Sequence, residues 1–119
     1  MDRAGDLLRL VLVAPEVEGG LELTREVLSR GLIAAVGHSE ASYEEVVEAV
    51  SLGLDQAVHT FNGGNTGITK RLPGLIGAAL NLDEIYCELI CDGIHVHQAN
   101  MQLLYKLKSS DKIILITDA

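Results

Sequence analysis

Residues 32–61 read LIAAVGHSEASYEEVVEAVSLGLDQAVHTF. The stretch opens on five apolar residues, 32–36, and passes through Gly37-His38-Ser39. Ser42 is followed three residues later by Glu45, the spacing of a capping box, in which each side chain bonds the other residue's backbone N–H. Val46, Val47, Ala49 and Val50 then supply an apolar helix face, and Gly53 ends it. A second strand-like segment, 56–61, carries His59 near its end. Strand, helix, strand is a βαβ unit, and such units join parallel strands through right-handed crossovers.

The unit recurs on both sides. Segments 10–14 (LVLVA), 32–36 (LIAAV), 56–61 (QAVHTF), 85–91 (IYCELIC) and 113–117 (IILIT) read as strands. Three are almost unbroken apolar runs, which suits strands covered on both faces. Helix signals fill the gaps. Residues 22–30 carry Leu23, Val27 and Leu28, with Gly31 as a cap. Residues 73–80 (PGLIGAAL) place a proline in the first turn. Residues 98–108 set Met101, Leu104, Tyr105 and Lys108 on one stripe. The class is therefore α/β, with parallel strands alternating with helices in one domain, 1–119, of about five βα units. Both an open doubly wound sheet and part of a (β/α)₈ barrel satisfy that pattern. A whole barrel needs about 250 residues.

Composition narrows the partners. Nine Lys+Arg stand against seventeen Asp+Glu, a net charge of −8, which is the wrong sign for nucleic acid or an anionic membrane. Hydrophobic residues are 48% and aromatics 3%, so the chain buries an aliphatic core. No apolar run approaches the ~18 residues of a membrane span. The first six residues, MDRAGD, lack a basic-then-apolar signal sequence, so a soluble, cytoplasmic protein is expected. On a strand, Cys87 and Cys91 would lie about 13 Å apart. That is beyond the ~7 Å reach of a disulfide, and they are read as structural thiols.

In parallel α/β folds the loops after the strand C-termini build the site. All four histidines of this chain lie at or just past such ends: His38, His59, His95 and His97. Taken singly, each is an ordinary strand-end side chain. On neighbouring strands, His38 and His59 make a plausible pair for a borderline cation such as Zn²⁺. Asp118 reads either as a helix N-cap or as a base that activates metal-bound water. Arg71 is a solvated loop charge or an anion clamp. Glu16, in Ala14-Pro15-Glu16, is assigned no catalytic role, and neither is His97. The loop 62–71 (NGGNTGITKR) is neither a P-loop nor a dinucleotide fingerprint.

Five short motifs follow one another: Gly37-His38-Ser39, Val58-His59-Thr60-Phe61-Asn62, Arg71-Leu72-Pro73-Gly74, Asp92-Gly93-Ile94-His95-Val96 and Ile116-Thr117-Asp118-Ala119. Together they resemble the N-acetylglucosamine-6-phosphate deacetylases of the amidohydrolase superfamily, from about Leu10 to Ala119. The resemblance implies a partial (β/α)₈ barrel of the metal-dependent hydrolase type, roughly its strands 4 to 8. It implies His38 and His59 as metal ligands, His95 as a substrate contact and Asp118 as the catalytic aspartate. It further implies that Asn62, the Gly63 backbone and Arg71 hold the sugar phosphate. The cofactor would be a divalent metal, Zn²⁺, and the partner a small amino-sugar phosphate. The reaction would be removal of the acetyl group from N-acetylglucosamine 6-phosphate by metal-activated water, in amino-sugar catabolism.

Where the family pattern continues with Ala-Met, this chain has Gly63-Gly64, and one extra residue precedes Arg71. The family's His-Leu-Glu-Gly-Pro segment, whose glutamate is a metal ligand, is not in the sequence. An incomplete barrel with open edges at 10–14 and 113–117 is expected to form a homo-oligomer, and the chain alone is expected to be inactive. Two other readings stay open. One is a non-catalytic, self-associating α/β fragment. The other is a small structural zinc module built from Cys87, Cys91, His95 and His97.

Overall fold

The computed structural model describes residues 2–64 and 67–119. Positions 65 and 66 of the glycine-rich loop, and Met1 of the N-terminal segment, lie outside the described residues. After a 3-10 segment at Asp2–Leu7, which the sequence pattern did not signal, the elements alternate throughout. They are β1 (Leu10–Val13), α1 (Gly20–Ser29), β2 (Ile33–Val36), α2 (Tyr43–Leu52), β3 (Gln56–Ala57), α3 (Gly74–Asn81), β4 (Tyr86–Ile90), α4 (Gln98–Leu107) and β5 (Ile113–Ile116).

The sheet order is β1-β2-β3-β4-β5, and every pairing is parallel. Strand order separates the two architectures that periodicity left open. A doubly wound sheet reverses direction from its first strand and carries helices on both faces. Here each strand pairs with its predecessor, as in a barrel wall, and right-handed crossovers then put every helix on one face.

Register confirms which face that is. Val13, Val36, Ala57 and Cys87 stand in one row across β1 to β4 and are all buried beneath the helices. The row on the other face is Leu12, Ala35, Gln56 and Tyr86, and Glu88 follows two residues beyond Tyr86. The helix-covered face is thus aliphatic, and the concave face mixes apolar and polar groups.

Local chemistry explains the element ends. Both halves of the α2 capping box form: Ser42 Oγ accepts from Glu45 N–H at 3.2 Å, and Glu45 Oε2 accepts from Ser42 N–H at 2.7 Å. The bond from the Ser42 backbone also holds the Glu45 carboxyl below its ordinary value. Gly53, at φ 116°, ends that helix. Lys108 lies just past α4 and is buried; its Nζ donates to the Leu82 and Ile85 carbonyls, tying the α3–β4 connection to the end of α4. Burial pushes the Lys108 ammonium pKa down. Tyr105, expected on the same buried stripe, faces solvent.

One strand departs from expectation. Segment 56–61 is strand only at Gln56–Ala57. Val58 N–H still reaches the Val36 carbonyl at 2.9 Å, but His59 then turns with φ 30°. Both cysteines are free: Cys87 is buried with its thiol pKa pushed up by burial, and Cys91 is exposed.

Candidate active site

The strand C-termini form one rim. Among the described residues, three non-glycine positions adopt left-handed backbone: His38 (φ 49°), His59 (φ 30°) and Asp118 (φ 55°). Such a conformation costs an L-residue about 1 kcal/mol or more and persists only where its surroundings enforce it. Two of the three are the expected metal ligands, and the third is the expected catalytic aspartate.

His38 and His59 meet. Their Nε2 atoms stand 2.9 Å apart, and the rings cross edge-to-face at 80° with centroids 4.6 Å apart. His59 is 8% exposed, and its Nδ1 is buried without a hydrogen-bond partner. Two imidazoles on a tetrahedral zinc ion, each ~2.0–2.1 Å from the metal, hold their nitrogens about 3.3 Å apart. The observed pair is a few tenths of an ångström tighter, the spacing of an N–H···N hydrogen bond, and a small separation of the rings would let both nitrogens face one such ion. No group of three or more His, Cys, Asp or Glu able to hold a metal is gathered among the described residues. The alternative reading of a zinc module from Cys87, Cys91, His95 and His97 is therefore not supported among the described residues.

Each histidine is held from a neighbouring strand. Glu16, just past β1, accepts from Ser39 Oγ at 2.7 Å and from Glu40 N–H at 2.8 Å, pinning the backbone directly after His38. Ser39 N–H donates to the Gly63 carbonyl at 3.0 Å, which joins the two histidine loops. Gly63 is buried against the His59 ring. A Cβ there would lie 2.8 Å from the Val58 carbonyl oxygen and 3.2 Å from His59 Nδ1. The absence of a Cβ at Gly63 lets that backbone approach the ring. From the other side, Glu88 Oε2 accepts from His59 N–H at 3.2 Å, and its Oε1 accepts from Gln56 Nε2 at 2.5 Å.

The other expected residues are not drawn into this pair. His95 is exposed, and its Nδ1 lies 2.6 Å from Asp92 Oδ2. Asp92 Oδ1 also accepts from the Ile94 and His95 amides at 2.8 and 2.9 Å. Those backbone bonds, first that from His95, and then the imidazole, lower the Asp92 carboxyl to about 2. Asp118 and Glu88 line one open cleft of about 630 Å³ at the end of β5. Asn62 is exposed, with its N–H on the His59 carbonyl at 2.6 Å. Arg71 is exposed beside a 160 Å³ cleft that also includes Ser42, Tyr43 and Pro73.

Sequence reasoning missed Glu88, Gln56 and Asp92, and it gave Glu16 no part. Glu88 had a signal: a carboxylate in the middle of an otherwise apolar strand needs partners to be tolerated there.

The chain is 39% identical over 116 residues to an N-acetylglucosamine-6-phosphate deacetylase of Lysinibacillus sphaericus, covering 98% of this chain and 30% of that protein. It is 41% identical over 112 residues to an N-acetylgalactosamine-6-phosphate deacetylase of Escherichia coli O157:H7, covering 94% of this chain and 29% of that protein. A solved N-acetyl-D-glucosamine-6-phosphate deacetylase from Mycobacterium smegmatis superposes with a TM-score of 0.94 at 33% identity, over 99% of this chain and 33% of that one. The chain is homologous to a segment of the N-acetylglucosamine-6-phosphate deacetylases. It spans about 30% of the length of these deacetylases. No protein-family profile matches it. The deacetylase likeness agrees with the barrel-type sheet. Among the described residues, no helix is long and apolar enough to cross a membrane.

Proposed function

We infer that this chain carries part of the catalytic rim of a deacetylase acting on N-acetylated hexosamine 6-phosphates, in amino-sugar catabolism. The observation that carries the reading is the convergence of His38 Nε2 and His59 Nε2 at 2.9 Å on adjacent parallel strand ends. These two imidazoles would hold a divalent ion, Zn²⁺ by donor type, with further ligands supplied from outside the pair. When bound, such an ion lowers the pKa of water and polarises an amide carbonyl.

The chain's own residues do the rest. Asp118 takes a proton from the attacking water as the new carbon–oxygen bond forms. It then gives that proton to the amine as the carbon–nitrogen bond breaks, leaving acetate and the free amino sugar. His95 donates to the carbonyl oxygen as negative charge develops there. Arg71, with Asn62 and the Gly63 backbone, binds the phosphate remote from the reacting bond and contributes orientation. The names of the relatives include both the gluco- and the galacto-configured sugar phosphate. N-acetylglucosamine 6-phosphate is the proposed substrate. A cytoplasmic location and self-association belong to the same reading. Supporting self-association, Leu12 and Leu115 are exposed on the two edge strands.

The test is acetate release from both sugar phosphates in the presence of Zn²⁺, by this chain and by its His59→Asn and Asp118→Asn variants. Release by the wild type that is lost in both variants, with metal retained only by Asp118→Asn, supports the assignment. Turnover that survives Asp118→Asn removes that residue from the chemistry. If the wild type has no turnover and scatters light as an oligomer, the chain is a self-associating α/β fragment.

A further inference from the structure

Among the described residues, Glu88 is the one carboxylate that the proposed chemistry does not use and that the fold nevertheless sets on the concave face of the sheet, in the middle of β4. Carboxylates are rarely tolerated on such a strand unless both oxygens are engaged. Here both are: Oε1 accepts from Gln56 Nε2 at 2.5 Å, and Oε2 accepts from the His59 backbone N–H at 3.2 Å. That amide belongs to the residue at which β3 leaves the ladder, with φ 30°. A left-handed histidine releases its N–H from the normal strand pattern, so the amide needs an acceptor from elsewhere. The next amide, Thr60 N–H, is satisfied by the Glu88 backbone carbonyl at 2.9 Å. Residue 88 therefore holds two consecutive amides of the turn, one through its side chain and one through its backbone.

We propose that Glu88 is a positioning residue: its side chain fixes the left-handed turn at His59 and so presents the His59 imidazole to His38. The His59 ring makes no direct bond to Glu88, so the action runs through the backbone. The inference rests on the reading of His38 and His59 as metal ligands, but its geometric half can be measured without metal.

The two amides supply an internal control. In Glu88→Leu the side-chain acceptor is gone, while the backbone carbonyl that serves Thr60 remains. In Glu88→Gln one oxygen can still accept from His59 N–H, and the new amide can bond Gln56 after a flip of the Gln56 amide. Hydrogen exchange of the His59 and Thr60 amides, followed by ¹⁵N-resolved NMR, reads the turn. The expected result is exchange at His59 faster by about tenfold or more in Glu88→Leu. Thr60 should stay unchanged there, and Glu88→Gln should stay within about threefold of wild type at both amides. Titration with Co²⁺, followed by its visible absorption, reads the second half. Glu88→Leu should bind about 10- to 100-fold more weakly, the range for partners that orient a ligand, and Glu88→Gln near wild type.

Unchanged His59 protection in Glu88→Leu overturns the proposal. Equal loss at His59 and Thr60 also overturns it, because Glu88 would then be supporting the strand as a whole. A wild-type chain that takes up no Co²⁺ defeats the metal reading of His38 and His59. The exchange of the two amides then decides alone whether Glu88 holds the turn.

Discussion

The rim above β1–β3 and the rim above β4–β5 carry similar side chains but are held in different ways. Over β1–β3, contacts cross between strands: Glu16 reaches Ser39, Ser39 reaches Gly63, and His38 meets His59. Over β4–β5, the bonds that order His95 come from Asp92, three residues away. Of the cross-strand members, Ser39 and His59 are buried, 1% and 8% exposed, while His38 is exposed, as are His95 and Asp118. A strand-end histidine thus meets a histidine of the next strand where the backbone beside it is gripped by another strand, and otherwise pairs with what its own loop supplies.

Substitutions test that contrast, the most damaging first. His59→Ala should lower the affinity for Zn²⁺ at least ~100-fold, whereas His95→Ala should leave it within about threefold, as measured by calorimetric titration. A large loss from His95→Ala would show that the two rims act as one centre. Ser39→Ala removes a donor to Glu16 and an acceptor for Ala41 N–H inside a buried link. It should cost about 1–3 kcal/mol in denaturant unfolding.

Two glycines sharpen the same comparison at a smaller scale. Gly63→Ala forces its Cβ toward the Val58 carbonyl, while Gly93→Ala meets no atom within 4 Å but must adopt φ 75°. Each should cost about 1 kcal/mol, for steric and conformational reasons respectively. Only the first should speed hydrogen exchange at His59.

The smallest effect is the acid response of the His95 loop. The Asp92 carboxyl sits at about 2, against its ordinary 3.8. A carboxyl depressed in the folded state contributes stability above its unfolded value, and that contribution fades as pH falls through the folded one. The Ile94 and His95 amide signals should therefore hold steady down to about pH 4 and move with a midpoint near 2. A midpoint near 3.8 would show that the loop bonds do not persist in water.

How much of this was legible in the sequence depends on the distance between partners. The α2 capping box was readable because Ser42 and Glu45 are three residues apart. The strand–helix alternation was readable because hydrophobic spacing is local, and the order of the five motifs brought the barrel wall with it. The early end of β3 was not readable: it is set by Glu88, 29 residues beyond His59. The pairing of His38 with His59 was legible, because both lie at neighbouring strand ends within residues 32–61. The separation of His95 from both was not, because its bonds to Asp92 depend on how the loop after β4 closes on itself.

Neighbour-by-neighbour strand order also says something about how this chain comes to be folded. Each new strand needs only the edge left by the preceding one, so the wall can grow by accretion, without waiting for a distant end of the polypeptide. A nascent chain leaving the ribosome would have the Glu16 bonds to its first histidine loop available early, while the Ser39–Gly63 bond waits for the second loop. The turn at His59, by contrast, would stay loose until β4 emerges and delivers its carboxylate.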